Sequence, residues 1–459
     1  GLYSPVTRQS SVRTVVGIAA TQGWHLHSAD VDTAFLLSPI SEDIFLKPPV
    51  AYNLPPDVDK IDLSDPNLLF QSPHNAGGEK LVLKLEKSLY GLPQAPRNWY
   101  LLLHHYLIEQ GFVQCLSDPC LYSLDKDGKR ALLAIYVDDA LIASPDLDWI
   151  SAFKTSLHTR FGIKDQGETS WLLGVSVSRD KQAGTITLSQ ESYIKELAAR
   201  YGLQNASPKS LPISPDFVLY PKGAHQSNPC TPAEKELFKS MLGSCLFAAL
   251  FTRPDISIGC SMLGRVQSNP AKAHYKQLQN LIVYLHGTAS RGITFGGPSS
   301  PLTLSAYVDS DYAGSTTEEA RRSTSGFVVM FAGGPISWYS KLQPSPALSS
   351  SEAEYYALTE CVKELVYLRQ LLSQIGFSQS GPTPIHEDNT GCIAFTREHY
   401  TSNRLKHVDV RHHWIRHIIS TGQVVVHHIP TREQRADIFT KPLGGTLHKY
   451  HADYLLSDP

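Results

Sequence analysis

Residues 132–143, LLAIYVDDALIA, decide the fold of the first part of the chain. The apolar run 132–137 is typical of a buried strand, and residues 140–143 are typical of a strand that returns beside it. We therefore predict a β-hairpin with Asp138 and Asp139 in the turn. Aspartate is a favoured turn residue, which explains the pair without any function. However, a tight hairpin usually has Asn-Gly or Asp-Gly, and two adjacent carboxylates repel each other unless a divalent cation neutralises them.

A third carboxylate upstream suits the same site. Asp30 closes the strand-like run 24–29, and residues 31–36, VDTAFL, continue with a helical pattern. The alternative interpretation is that Asp30 is only the N-cap of that helix. Mg²⁺ prefers carboxylate oxygens as ligands, so the three aspartates together indicate a metal site.

The pattern along the chain predicts several structural units of mixed α+β or α/β class. The 459 residues correspond to about three domains at ~150 residues each. Pro, Ser and Gly are frequent in residues 207–229 and 296–301, which we interpret as linkers. We predict domains at 1–205, 206–300 and 301–459. The middle domain is predicted to be mostly helical, because Thr231, Pro232 and Glu234 form a helix-start signal.

Composition excludes several classes of protein. The 41 Lys+Arg against 43 Asp+Glu give a net charge of −2, so there is no general basic field for nucleic acid. The hydrophobic share of 42% against 18% charged residues excludes intrinsic disorder. The seven cysteines contain no CxxC, which favours a reducing compartment over a disulfide framework. We expect no membrane partner, because no apolar run approaches the length of a span.

Four carboxylates in the last block form a second candidate site: Asp309, Glu354, Asp388 and Asp437. We place them at a strand end, a helix start, a strand end and early in the last helix. Glu354 has a purely structural alternative, since Ser351 and Glu354 have the spacing of a capping box. Asp437 could likewise be only a favourable charge near a helix N-terminus. Asp311 and Glu352 are neighbours that rank second as candidates.

Histidines and basic residues are concentrated in the same block. Ten of the 19 histidines lie between His386 and His451, which raises the question of a zinc site. Without paired cysteines or an HExxH motif, solvated or nucleic-acid-facing histidines are the favoured interpretation. Four basic residues could contact a nucleic-acid backbone, or form an ordinary solvated helix face: Arg404, Lys406, Arg411 and Arg416.

Several stretches together resemble a known family, the reverse transcriptase–ribonuclease H region of copia-type LTR retrotransposon Pol polyproteins. In the first and middle blocks they are residues 30–36 (DVDTAFL), 88–100 (SLYGLPQAPRNWY), 136–139 (YVDD), 173–175 (LGV) and 252–256 (TRPDI). In the last block they are residues 321–326 (RRSTSG), 348–355 (LSSSEAEY), 406–411 (KHVDVR) and 436–442 (ADIFTKP). The resemblance implies a right-hand polymerase palm with partial fingers, a helical thumb or connection, and a C-terminal ribonuclease H-like domain.

The resemblance also implies roles for individual residues. In the first site Asp30, Asp138 and the carbonyl of Val31 would hold metal, with Asp139 supporting them. Phe35 would lie under the deoxyribose, although a core aromatic residue is the alternative. Tyr90, Gly91 and Gln94 would contact the incoming base pair and the template. In the second site the family implies that the four carboxylates of the last block hold metal. Each site would take two Mg²⁺ or Mn²⁺ ions.

The leading hypothesis is an RNA- and DNA-directed DNA polymerase fused to a ribonuclease H. Its expected partners are an RNA template, a DNA or tRNA primer, an RNA–DNA hybrid, deoxynucleoside triphosphates, and other polyprotein products such as capsid and integrase. A decayed or domesticated nucleic-acid-binding copy and an inactive structural segment are the alternatives. We expect a cytoplasmic virus-like particle or the nucleus as its location. The absence of an initiator Met suggests a piece of a longer chain, with upstream finger strands missing and nucleotide use weakened.

Overall fold

The structure is a computed structural model that describes residues 3–46, 82–219, 228–312, 314, 321–397 and 406–458, without the side chains of 406–412. The mixed α+β class is confirmed: helices and strands alternate throughout these residues. None of the helices in the described ranges is long and apolar enough to cross a membrane.

The first block contains a six-stranded sheet with the strand order β4-β5-β6-β7-β1-β8. Strand β1 lies between β7 and β8 and is antiparallel to both. Apolar residues of this sheet and of helices α3 and α4 form one core. The elements are α1 (Gln9–Gln22), β1 (His25–Val31), α2 (Ala34–Leu37), β2 (Phe45–Leu46), β3 (Leu83–Lys84), α3 (Ala95–Glu109), β4 (Val113–Gln114), β5 (Leu121–Lys126), β6 (Lys129–Tyr136), β7 (Asp139–Ser144), α4 (Leu147–Phe161) and β8 (Ile163–Glu168).

A second, four-stranded sheet connects distant parts of the chain. Strand β12 pairs with β11, about a hundred residues earlier, so the sheet order is β12-β11-β10-β9. The intervening residues are largely helical, and Thr231 and Glu234 form the predicted capping box at the start of the first long helix. The elements are β9 (Trp171–Leu172), β10 (Val175–Asp180), β11 (Thr185–Ser189), α5 (Glu191–Arg200), α6 (Pro232–Phe251), α7 (Ser257–Gly264), α8 (Lys272–Gly287) and β12 (Ile293–Gly296).

The last block is a five-stranded mixed sheet with the order β15-β14-β13-β16-β17. The first three strands are antiparallel, while β16 and β17 continue parallel to β13. Helix α9 buries the predicted stripe at spacings of three and four along this sheet. The elements are β13 (Ser305–Asp311), β14 (Thr324–Phe331), β15 (Gly334–Leu342), α9 (Ser350–Gln374), β16 (Thr383–Glu387), α10 (Thr390–Arg397), α11 (Lys406–Ser420), β17 (Val424–His428), α12 (Asp437–Thr440) and α13 (Gly445–Leu455).

Helix α1 packs against strands β1, β6 and β7 of the first block and also against β11, β12 and β15. Its residues from Ser10 to Ala20 are all buried. At Gly17 an added Cβ would lie 2.9 Å from the Cβ of Ala332, so a larger residue has no room there. The core that contains α1 also contains apolar residues of β10–β15 and α9. One continuous apolar core therefore joins the first block to the last.

Three predicted elements are placed differently in the structure. The hairpin turn consists of Val137 and Asp138, because Tyr136 pairs with Asp139. Asp30 lies within β1 and not before a helix, since α2 begins only at Ala34. Asp437 is the first residue of the four-residue helix α12, and the last long helix, α13, is separate.

Candidate active sites

The hairpin carboxylates come together on adjacent strands. In the antiparallel pairing of β1 with β7, Asp30 lies directly opposite Asp139. The backbone N–H of Val31 donates to the carbonyl of Asp138 at 3.1 Å, which ties the turn to β1. The prediction that Asp138 and Asp139 form the turn is wrong by one residue: the strand pairing uses Asp139, so its side chain is held in the sheet.

The turn itself has an unusual backbone. Val137 has a φ of 60°, a left-handed conformation that is strained for a β-branched residue. The indole Nε1 of Trp99 donates to the carbonyl of Val137 at 2.7 Å, and Trp99 is fully buried. Helix α3 therefore holds the turn in this conformation through one side chain. Trp99 lies in the SLYGLPQAPRNWY stretch, but no local pattern in the sequence indicates that it reaches the hairpin.

Burial and mutual repulsion raise the pKa of two of these carboxylates. Burial raises the pKa of Asp139 to about 6, with further contributions from Asp138 and Asp30. Burial, followed by the charges of Asp138 and Asp32, also raises the pKa of Asp30. Carboxylates with raised pKa values gain most from a nearby cation. However, these aspartates do not bring three ligand oxygens within 4.8 Å of one another in the described structure.

Of the four residues expected to contact nucleotide and template, Tyr90, Gly91 and Gln94 lie in one segment, and Phe35, from α2, contacts Tyr90. The ring of Phe35 lies 4.7 Å from that of Tyr90, which is 52% exposed. Gly91 has a φ of 97°, which favours glycine, and an added Cβ would meet nothing within 4 Å. Gln94 occupies the N-cap position of α3 without a side-chain cap. Phe35 is only partly buried and packs against the first-block core.

Three of the four carboxylates in the last block converge. Asp309, Glu354 and Asp388 offer ligand oxygens that all lie within 4.8 Å of one another. Asp309 is on β13, Glu354 is in the first turns of α9, and Asp388 directly follows β16. Asp309 and Glu354 are buried, whereas Asp388 is half-buried. The converging groups come from three separate elements, as the order of strand end, helix start and strand end predicts.

Glu354 is not a capping residue. The N-cap of α9 is Ser349, whose hydroxyl accepts from the backbone N–H of Glu352 at 3.1 Å. The carboxylate of Glu352 in turn accepts from the N–H of Leu348 at 2.7 Å. The capping alternative, in which Ser351 and Glu354 pair, is therefore wrong by two residues. Glu352 fulfils the structural role, and this leaves the side chain of Glu354 available to the carboxylate cluster.

Asp437 lies beside the cluster and is paired with a cation. The Nζ of Lys441 lies 2.8 Å from Asp437 and 3.8 Å from Asp309. Thr440 donates a hydrogen bond from its hydroxyl to Asp309. Thr440 and Lys441 follow Asp437 by three and four residues, so one helical turn places them on the same side. The ADIFTKP stretch contains both residues, but neither was predicted to belong to the site.

The electrostatics of the cluster reflect crowded, buried carboxylates. Burial, and then the charges of Asp309 and Glu387, raise the pKa of Glu354 well above its usual value. Burial raises the pKa of Asp437 to about 7, with Asp309 contributing. Burial also raises the pKa of Asp311 to about 6. Glu387, which was not predicted as a site residue, is fully buried beside Asp388, and burial raises its pKa strongly.

Two buried glutamines brace the strands that carry these carboxylates. The Nε2 of Gln343 donates to the hydroxyls of Ser310 and Ser325 and to the carbonyl of Ala353 at 2.9 to 3.3 Å. Its bonds thus link the residue after Asp309 to the residue before Glu354.

Gln434 acts similarly on the other side of β13. Its Nε2 donates to the carbonyl of Val308 at 2.8 Å and to that of His386 at 3.3 Å. Gln343 and Gln434 are at most 1% exposed. No spacing in the sequence indicates either role, because each depends on contacts between distant elements.

The donor set of the cluster fits a hard divalent cation. All its ligands are carboxylate oxygens, which is the chemistry that Mg²⁺ and Mn²⁺ prefer. The Oε2 atom of Glu354 is buried and accepts no hydrogen bond within the protein, so it is available to an ion. No histidine belongs to a metal-binding set among the described residues, and His451 is fully buried on α13 with neither ring nitrogen hydrogen-bonded.

The predicted basic contacts fall mostly outside the described side chains. Arg404 lies outside the described residues altogether, and the side chains of Lys406 and Arg411 are not described. Arg416 is on α11, which packs against β17 and α10. Their contact with nucleic acid therefore stays a prediction.

Comparison with known proteins gives a consistent picture. Residues 1–215 match the model of a family described as reverse transcriptase (RNA-dependent DNA polymerase). The "Retrovirus-related Pol polyprotein from transposon TNT 1-94" of Nicotiana tabacum is 34% identical over 446 residues, which are 96% of this chain and 31% of that protein. The corresponding polyprotein from transposon RE1 of Arabidopsis thaliana is 34% identical over 98% of this chain and 28% of its own length. The chain thus spans about a third of the length of these relatives.

Among solved structures, a foamy viral protease-reverse transcriptase in complex with an RNA/DNA hybrid aligns over 93% of this chain and 46% of that one. Its TM-score is 0.47 and its sequence identity 12%.

Proposed function

Because the chain belongs to the retrovirus-related Pol polyproteins of copia-type transposons, we propose that it is an RNA-directed DNA polymerase with ribonuclease H activity. The match of residues 1–215 to the reverse transcriptase family supports the polymerase. The observation that carries the nuclease is the convergence of Asp309, Glu354 and Asp388 within 4.8 Å. In this proposal, the first block copies RNA into DNA and the last block degrades the RNA of the hybrid.

In the polymerase site, β1 and the hairpin present the reacting groups. Asp30 and Asp138, with the carbonyl of Val31, would hold the ions, and Asp139 supports their charge from the paired strand. Phe35 would pack under the nucleotide sugar, and Tyr90, whose ring contacts that of Phe35, would pack against the base pair. Gly91 lets the backbone come close to the nascent pair, because its α-carbon carries no side chain.

In the nuclease site, the residues of the last block bind and orient the scissile phosphate. Asp309, Glu354, Asp388 and Asp437 would hold the ions. When bound, two Mg²⁺ or Mn²⁺ ions per site supply stabilisation of the attacking and leaving oxygens. Lys441 contributes a positive charge beside Asp437, where it also offsets the repulsion among the carboxylates. Gln343 and Gln434 keep the strands in register around the cluster.

The proposed architecture follows from the same assignment. The six-stranded sheet would be the palm with partial fingers, helices α6–α8 the thumb or connection, and the five-stranded sheet a ribonuclease H-like domain. The order β15-β14-β13-β16-β17, with three antiparallel and then two parallel strands, supports the last assignment. The proposed partners are an RNA template, a DNA or tRNA primer, the hybrid, deoxynucleoside triphosphates and other polyprotein products such as capsid and integrase. The proposed location is a cytoplasmic virus-like particle or the nucleus.

The test separates the two sites by substitution. The chain is assayed in Mg²⁺ for primer extension on an RNA template and for cleavage of a preformed RNA–DNA hybrid. We expect Asp138→Asn to abolish extension and retain cleavage, and Asp388→Asn to do the reverse. The matched control is Asp127→Asn, in the exposed β5–β6 turn, which should retain both activities.

The other outcomes of this test would contradict the proposed sites or support one of the alternative functions. Extension that persists in Asp138→Asn would show that the hairpin is not the polymerase site. A chain that binds the hybrid without either activity would be a decayed or domesticated copy, and one that neither binds nor reacts would be a structural segment.

A further inference from the structure

The buried guanidinium of Arg13 connects three parts of the chain. It lies in the middle of α1 and is 5% exposed. Its Nε donates to the carbonyl of Ile336 on β15 at 2.8 Å. Its Nη1 donates to the carbonyls of Leu250 and Phe251, at the end of α6, at 2.9 and 3.0 Å. One side chain thus bonds the first, middle and last blocks at once.

Trp338, from the last block, contacts the same group. We call Arg13, Trp338 and the carbonyls that they bond the junction. The guanidinium of Arg13 lies 4.0 Å from the centre of the Trp338 ring. The indole Nε1 of Trp338 donates to the carbonyl of Ala249 at 2.8 Å. Arg13 and Trp338 together satisfy three carbonyls in the last turn of α6, which have no partners within a helix end. A cation at a helix C-terminus is also favoured by the helix dipole.

The junction sits between the elements that carry the two candidate sites. Strand β1, with Asp30, follows α1 after a single short turn. Strand β15 belongs to the same sheet as β13, which carries Asp309. Gly17, one turn after Arg13, approaches Ala332 so closely that the helix cannot slide past the β14–β15 turn without a clash.

We propose that Arg13 is a positioning residue that fixes the distance between the polymerase and nuclease sites, so that cleavage follows synthesis at a set spacing on one hybrid. This inference rests on the proposed function for its catalytic consequence. Its structural part, a rigid junction, is independent of activity. An ordinary core residue contributes only packing, whereas the hydrogen bonds of Arg13 fix the position of α1 relative to α6 and β15.

The first experiment measures the junction without any catalysis. All seven native cysteines are buried, so cysteines introduced at the exposed positions Glu109 and Lys363 can be spin-labelled selectively. We expect one narrow distance distribution by pulsed electron paramagnetic resonance. Arg13→Met should broaden it. The matched control is Arg179→Met, because Arg179, on β10, bonds the carbonyl of Trp24 and neither residue bonds to Arg13 or Trp338, and it should leave the distribution narrow.

The second experiment measures the spacing on the hybrid. The enzyme extends a primer to a defined stop on an end-labelled RNA template, and the cleavage positions are mapped relative to the stop. In the unsubstituted chain we expect the cleavage positions to fall within a narrow range of distances from the stop. In Arg13→Met we expect them to spread over a wider range, while the total cleavage of preformed hybrid is retained. Trp338→Phe is the milder variant if Arg13→Met does not fold. It keeps an aromatic ring beside Arg13 but removes the indole N–H that donates to Ala249.

The outcomes distinguish the two claims. A narrow distance distribution in both Arg13→Met and Trp338→Phe would overturn the positioning role, whatever the activities are. A broad distribution in the unsubstituted chain would overturn the rigid junction. Absence of extension and cleavage, with the distance behaviour as expected, would overturn the proposed function and leave the junction intact.

Discussion

The ring of Phe35 and the ring of Tyr90 lie 4.7 Å apart and are tilted by 49°. Phe35 comes from α2, directly after β1, and Tyr90 from the segment before α3. The two rings thus join a residue expected under the nucleotide sugar to one expected against the base pair. Aromatic pairs at this distance stabilise each other by about 0.5–1.5 kcal/mol beyond their burial.

Sugar selection should therefore depend on Phe35. We expect Phe35→Val to increase ribonucleotide incorporation relative to deoxyribonucleotide incorporation, because a smaller side chain leaves room for a 2′-hydroxyl. The measurement is the ratio of kcat/KM for the two nucleotides. Leu37→Val, on the same short helix, is the control. Unchanged selectivity together with a large loss of thermal stability would show that Phe35 is only a core residue.

Metal affinity at the second site should depend on Gln343. Gln343→Leu removes three hydrogen bonds that join β13, β14 and the start of α9. We expect the Mg²⁺ concentration for half-maximal hybrid cleavage to rise by about 10- to 100-fold, the usual cost of losing a residue that orients metal ligands. Chelation of the metal should abolish cleavage in both proteins. Gln182→Leu, at an exposed turn, should not change the Mg²⁺ dependence. An unchanged half-saturation in Gln343→Leu would contradict the bracing role.

Stability should fall in mild acid because of His451. Burial, with the charges of Arg435 and His448, lowers the pKa of His451 to about 4. An imidazole with a folded pKa below its unfolded value of about 6.5 binds protons preferentially when unfolded, so its contribution to stability is lost as the pH falls from about 6.5 towards 4.

We expect His451→Gln to flatten the dependence of the unfolding free energy on pH within that window. The measurement is chemical denaturation at several pH values. His428→Gln, which removes an exposed histidine, should leave the dependence unchanged. An equal slope in the His451 variant and the unsubstituted chain would show that other groups cause the acid sensitivity.

The buried ion pair of the TRPDI stretch should be essential as a pair. The Nε and Nη2 atoms of Arg253 donate to the two carboxylate oxygens of Asp255, at 2.9 and 2.8 Å. Both residues are fully buried. Asp255→Leu leaves the guanidinium without a counter-charge, so we expect a loss of about 3–5 kcal/mol in the free energy of unfolding. The double variant Arg253→Met/Asp255→Leu should recover much of this loss. A double variant as unstable as the single one would show that packing, and not the charge, sets the cost.

Local patterns predicted much of the fold because the deciding signals are short. The apolar runs around Asp138, the helix-start signal at Thr231 and the stripe of α9 each depend on neighbouring residues. All three elements form, the hairpin with its turn shifted by one residue. The wrong predictions are shifts of one residue in the hairpin turn and of two residues in the N-cap of α9. The choice between Ser349 and Ser351 as the cap depends on where α9 first packs against the sheet, which the sequence between residues 348 and 354 does not reveal.

The supporting residues of both sites were harder to predict, since their roles depend on contacts across the fold. Trp99 reaches a turn 38 residues away, and Gln434 reaches β13 from 126 residues away. Nothing in the spacing of these residues distinguishes them from other buried side chains. The carboxylates were easier to identify because each lies at or within a few residues of a strand or helix end, in a stretch with a recognisable order.

The burial of α1 against β15 also has a consequence for biosynthesis. The helix ends at Gln22, and the strand that covers it begins at Gly334. At roughly 5–20 residues per second, the ribosome needs on the order of 15–60 s to make the intervening chain. During that time the face of α1 that packs against β15 is not yet covered, although strands made earlier, such as β6, β7 and β11, already contact the helix. The face of α1 that packs against β15 is thus covered late in synthesis, and in a nascent chain this apolar face stays exposed for a time on the order of tens of seconds.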